Sequence, residues 1–259
     1  MNKKAAISFV VLMVSGFFLA LSAYCAGEIR DYKVPSRFPD DLPPTKLSVY
    51  LPEGYDTSGA YYPVLYLIHG DGGNYLTFLG GGYSGVMSDA NVSTIVDRLV
   101  QEGKIRQLLV ACPDMGSAGL FDEDLLRDVV SFVDANFRTV PGRESRAIAG
   151  HSAGGTRSLY MTLRHPEVFS VAGGLASHVN AARLGGLAKA HNQKSYPIRF
   201  WLYEGTKDQA GFTQPNRDLS KALTDSGLPT EYVEDDGDHN NKVAQRLSEF
   251  IEFVSKYLN

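Results

Sequence analysis

Residues 147–155 read AIAGHSAGG, and the fold of the chain turns on whether this is a plain turn or a serine held on a sharp bend. Glycine and serine mark turns for backbone reasons alone, so the G-x-S-x-G spacing of Gly150, Ser152 and Gly154 leaves both readings open. The flanks decide. SRAIAG is an apolar run of strand length, and the residues after Ser152, up to Arg164 and His165, read as a helix that Pro166 stops. Strand, tight turn and helix in succession form the setting of a nucleophile elbow. Both glycines then have a steric reason, because a serine forced into an unfavourable backbone conformation needs neighbours without side chains.

Outward from the elbow, short apolar runs recur, each ending in glycine, aspartate or histidine: YPVLYLIHGDGG, QLLVACPDM, VFSVAGGLASH and IRFWLYEGTKD. They are continuous rather than alternating, as in parallel strands covered on both faces. Helical periodicity lies between and after them, at Leu126, Val129, Val130, Val133 and Phe137, and at Val243, Leu247, Phe250, Ile251, Val254 and Leu258. This order predicts one α/β domain over residues 27–259, a mostly parallel, doubly wound sheet with helices on both faces. Ahead of it, a polar lead, DYKVPSRFPDDLPPT, runs into KLSVYLP, whose alternation suggests an antiparallel first strand. The roughly 20 residues between Ser177 and Ile198 are too few for a large lid domain.

A composition of 44% hydrophobic and 21% charged residues is that of a globular chain. The net charge of -4, with acids and bases mixed, offers no basic stripe to track phosphates and excludes nucleic acid as a partner. Residues 1–26 combine Lys3 and Lys4, an apolar run from Ala5 to about Ala23, and small residues before the first acid. That layout predicts a secretory signal and an exported, periplasmic or secreted protein. A membrane contact arises only if the segment is retained as an anchor or if Cys25 carries a lipid. Cys112, inside LLVACPD, is left as a small core residue.

A serine hydroxyl needs a base to take its proton and an acid to orient that base, and in this setting they follow in the order Ser, Asp or Glu, His. Among the histidines, His239 falls between the last strand and the C-terminal helix, where the base is expected. His151 adjoins Ser152 and reads as part of the elbow, His165 as a helix end, His191 as solvated and His178 as a cleft residue. IRFWLYEGTKD delivers Asp208 at a strand end as the leading acid. Glu204 and Asp238 are the alternatives, with Asp235 and Asp236 in the same acidic turn as His239. The oxyanion needs main-chain donors: Ala153 after the nucleophile, and Asp71, or Gly72, after the HG of LIHGDGG. Tyr75, Phe78 and Tyr83, in the loop after that turn, are the expected cleft walls.

These stretches, with IVDRLVQEGKIRQLLVACPD, FDEDLLRDVVSFVDANFR, LRHPEVFSVAGGLAS and GTKD followed by GDH, resemble the α/β-hydrolase esterases. That group includes feruloyl and acetylxylan esterases, S-formylglutathione hydrolase, enterochelin esterase and the mycolyltransferases. The feruloyl and carbohydrate-esterase branch is the most similar, although Asn240 and Asn241 follow His239 where such members often carry a tryptophan. The resemblance implies a carboxylic ester hydrolase with a Ser152, His239 and Asp208 triad, oxyanion donors at Asp71 and Ala153, no cofactor and no metal. Its substrate would be a small-molecule or polysaccharide-linked ester. An acyltransferase using the same site, or a catalytically silent binding protein, would fit the same fold.

Overall fold

The computed structural model describes residues 26–36, 44–81, 89–115 and 122–259. Among them eight strands form one sheet: β1 (Glu28–Val34), β2 (Thr45–Leu51), β3 (Val64–Ile68), β4 (Leu109–Pro113), β5 (Arg146–His151), β6 (Val171–Leu175), β7 (Arg199–Gly205) and β8 (Thr230–Asp235). Their spatial order is β1-β2-β4-β3-β5-β6-β7-β8. β2 pairs antiparallel with β1 and β4, and every other pairing is parallel. The chain moves outward from β3 to β4 and then crosses back to β5, so the winding reverses between β3 and β5. The carboxyl ends of strands at such a switch point leave a crevice where ligands bind, and both HGDGG and GHSAGG lie there.

Among the described residues six helices connect the strands, α1 (Tyr55–Ser58), α2 (Val92–Gln101), α3 (Asp122–Asn136), α4 (Ala153–Arg164), α5 (Ala181–Ala190) and α6 (Thr213–Asp225), and α7 (Val243–Ser255) follows β8. Apolar residues of α3, α4, α5 and α6 join Val64, Tyr66, Ile68, Phe200 and Leu202 in one core. Those of α2 and α7 join Leu65, Leu67, Trp201 and Tyr203 in the other. Successive strand residues therefore feed opposite faces, which is why the strands read as continuous apolar runs. Each fully buried large side chain contributes about 1.5–3 kcal/mol. Cys112 belongs to the second core, where burial pushes its thiol up to about 12.

Two expectations need correction. The polar lead is not all loop: EIRDYKV forms β1, which precedes KLSVYLP and pairs with it along its whole length. Its charged, mostly exposed side chains suit an edge strand, where they discourage further strand addition. Nor is KLSVYLP the first strand: it is β2, antiparallel to both its neighbours as expected, with Leu47 through Leu51 all buried. Between β6 and β7 the chain holds only the ten-residue α5, and no lid domain. Residues 1–25 of the expected signal, Cys25 included, lie outside the described residues.

Candidate active site

Ser152 stands between β5 and α4 with φ 55° and ψ −121°, a conformation costing roughly 1–3 kcal/mol that persists only where its surroundings impose it. They do so by close backbone contact. A Cβ on Gly154 would lie 2.2 Å from the Ile68 carbonyl oxygen and 2.4 Å from that of His69, and one on Gly150 would lie 2.5 Å from the Ile68 oxygen. The Ser152 N–H donates to the Leu175 carbonyl at 2.9 Å, tying the bend to β6. The Ser152 hydroxyl does not cap the helix that it opens.

Asp208, in the turn after β7, and His239, in the loop between β8 and α7, come together. The His239 Nδ1–H donates to Asp208 Oδ2 at 2.6 Å, with the Asp208 side chain 1% exposed. The second carboxylate oxygen accepts the Ala210 N–H at 2.8 Å. With Nδ1 donating to the carboxylate, Nε2 is the nitrogen left to accept a proton. Phe212 packs edge-on against the His239 ring at 5.5 Å and stacks on His178 at 4.8 Å.

His151 joins the two halves. Its Nε2–H donates to the His239 carbonyl at 2.7 Å, and the two rings lie 4.6 Å apart. Burial, with His239 adding to it, pushes the His151 ring down to about 4, so it is neutral near pH 7. Because His151 precedes Ser152, this bond fixes the His239 main chain to the elbow.

The other carboxylates of the histidine loop are occupied in building it. Asp235 accepts the Gly237 N–H at 2.7 Å and pairs with Arg246 and Lys242. Burial works against its charge, but these donors hold it below the ordinary carboxylate range. Asp236 sits between Lys242 and Lys207, which draw it down to about 2. Asp238 accepts the Asn240 and Asn241 N–H groups, each at 2.8 Å, and is lowered by them. Glu204 is wholly buried at the end of β7, beside Asp208. Of the five acidic candidates, Asp208 is the one bonded to the His239 ring.

Ala153 opens α4, where the first N–H groups of a helix have no intrahelical acceptor. Asp71 is exposed in the turn closed by Gly73 N–H to the Gly70 carbonyl at 3.1 Å, with Gly72 at φ 78°. Buried His69, not singled out from the sequence, anchors this turn. Its Nε2 accepts the Met115 N–H at 3.0 Å, which leaves Nδ1–H to donate to the Gly70 carbonyl at 2.8 Å. Both expected donors thus stand at the edge where β3 and β5 end.

The expected walls divide. Phe78 is 1% exposed and packs with α2 in the second core, so it is no cleft wall. Tyr75 is half-buried with the Lys46 ammonium 5.5 Å over its ring. Tyr83 lies outside the described residues. His178 is exposed and borders a groove of about 690 Å³ between α4, α5 and α6, lined also by Tyr160 and Arg183. A separate cleft of about 550 Å³ opens over Asp208 and His239, bordered by Lys207, Gln209, Asn240 and Asn241. Phe212 carried no sequence signal, since its position becomes meaningful only when α6 closes over the histidine loop.

The Esterase family model matches residues 43–243. A protein of Xylanibacter ruminicola named endo-1,4-beta-xylanase/feruloyl esterase is 29% identical over 206 residues, 73% of this chain and 26% of its own length. The chain spans about a quarter of the length of the curated relatives it matches. In structure, it resembles a ferulic acid esterase of Anaeromyces mucronatus solved with ferulic acid, with a TM-score of 0.70 at 19% identity over 92% of this chain and 94% of the other. S-formylglutathione hydrolase from Staphylococcus aureus superposes with a TM-score of 0.68 at 19% identity, over 91% and 98% of the two chains. These likenesses establish the α/β-hydrolase fold, and with the family model covering most of its length the chain belongs to the Esterase family.

Proposed function

We propose that the chain is an exported serine esterase that hydrolyses carboxylic esters of carbohydrates, feruloyl- or acetyl-type. The observation that carries the reading is the 2.6 Å bond between His239 and Asp208 beside a serine held at φ 55°. Ser152 Oγ attacks the ester carbonyl while His239 Nε2 takes its proton, and Asp208 steadies the imidazolium that forms. The Ala153 and Asp71 N–H groups receive the developing oxyanion, each worth on the order of 100- to 1000-fold in rate. His239 returns the proton to the departing alcohol, leaving an acyl-Ser152 ester. The same base then activates water, which releases the acid and restores the serine.

Membership of the Esterase family and the likeness to a xylanase/feruloyl esterase support the substrate class. The open cleft over His239 suits a large alcohol portion. Export rests on the composition of residues 1–26. The test is hydrolysis of an aryl acetate and of a feruloylated arabinose by the purified chain and by Ser152→Ala. The expected result is hydrolysis of both by the native chain, with loss of activity and of fluorophosphonate labelling in the variant. Full activity in Ser152→Ala would overturn the mechanism, and aryl acetate turnover alone would overturn the feruloyl-type substrate.

A further inference from the structure

Glu204 is left unused by this mechanism, yet it is the most deeply enclosed carboxyl beside the triad, with no exposed surface. Its Oε1 accepts the Gly205 N–H at 3.2 Å and its Oε2 accepts from Asn216 Nδ2 at 2.7 Å. The same Asn216 nitrogen also faces the Ser177 carbonyl at 2.8 Å and the Phe212 carbonyl at 2.9 Å. An amide nitrogen has two protons, so three acceptors compete for them. The Glu204 carboxyl also lies close to Asp208, whose side chain is likewise buried. Two buried carboxyls side by side disfavour each other's ionisation, so one of them keeps its proton more readily.

We propose that Glu204 keeps a proton at neutral pH and donates it as a hydrogen bond to the Asp208 carboxylate, acting as a positioning residue that holds the triad acid against His239. This inference rests on the triad reading above. The proton belongs on Glu204 rather than Asp208 because Asp208 already receives the His239 ring and the Ala210 N–H, and must be anionic to steady an imidazolium. The charged and titratable neighbours agree. Asp208 neighbours Glu204 from its own turn and Glu234 and Tyr232 from β8, Tyr203 of β7 points to the opposite face of the sheet, and α6 presents the uncharged Asn216. Arg217 is engaged with Glu234. Burial first, and Asp208 next, push Glu204 up to about 8.

The folded value is raised, so the stability that goes with the proton is complete below the ordinary carboxylate range and is lost as the pH climbs through about 8. The experiment compares the native chain with Glu204→Gln, which keeps a neutral donor, and Glu204→Leu, which removes it. Expected are a fall in kcat on an aryl ester of about 10- to 100-fold for Glu204→Leu, the size of a lost hydrogen bond to a charged group, at nearly constant KM. Glu204→Gln should recover most of kcat at pH 7 and abolish the native decline above about pH 8. In urea titrations, Glu204→Gln should gain stability over the native chain as the pH rises from 5 to about 8. A stability difference flat with pH, or identical alkaline limbs, would overturn the proposal. The stability measurement needs no catalysis, so a failed esterase reading and a failed Glu204 assignment give different results.

Discussion

The elbow and the histidine loop meet across one hydrogen bond, from His151 to the His239 carbonyl, but they are built by opposite means. The elbow is shaped by missing side chains: a Cβ on Gly150 or Gly154 would fall 2.5 Å or less from a neighbouring carbonyl oxygen. The histidine loop is shaped by added polar ones, with Asp235, Asp236 and Asp238 each binding main-chain N–H groups or cations. Steric exclusion is insensitive to pH and salt, whereas ion pairs and carboxylate caps depend on both. Ser152 is therefore positioned rigidly while His239 stays on a segment held by adjustable contacts.

The largest effect should come from the contact that orients the His239 ring toward the elbow. Asp208→Asn should lower kcat by on the order of 10,000-fold, as the equivalent change does in another serine hydrolase, with an unchanged circular dichroism spectrum. Next, Gly154→Ala should destabilise the fold by about 3 kcal/mol or more, an overpacking cost with no flexible side chain to yield. Urea denaturation would check it; a loss under 1 kcal/mol would mean that the β3 and α4 backbones separate easily.

On the loop side, Arg246→Met removes a partner from Asp235, and both side chains are largely buried. A loss of roughly 2–3 kcal/mol is expected, together with a weaker kcat, because His239 follows four residues later. Acid should act on the loop before the elbow. Asp235, Asp236 and Asp238 all have lowered folded values, so their contribution is complete above about pH 4 and is lost as the pH falls, through about 2 for Asp236. Hydrogen exchange at pH 3 should show residues 235–242 losing protection ahead of residues 148–156. The smallest effect belongs to Lys207→Ala, since its pair with Asp236 is exposed at both ends; high salt should mimic it.

The elbow was legible because its demands are local. A strand, two glycines and a helix within a few residues of Ser152 leave one steric solution, and Asp208 and His239 fall at element ends that periodicity can locate. Phe78 misled because an aromatic in a glycine-rich loop reads as a cleft residue until α2 covers it. β1 was missed because an edge strand buries little, and EIRDYKV has the polarity of a loop.

What the amino-acid order determined by itself was therefore the α/β plan, the serine on its bend and the sequence of its partners, all set by short-range sterics and hydrophobic period. Only the tertiary structure decided which of five carboxylates holds the imidazole, because Asp208 and His239 are 31 residues apart and meet only when β7 and β8 pair. It also decided the place of Glu204. A carboxyl four residues from Asp208 is unremarkable in a string of letters, and the proton proposed for it follows from burial and from lying beside another carboxylate, which folding alone supplies.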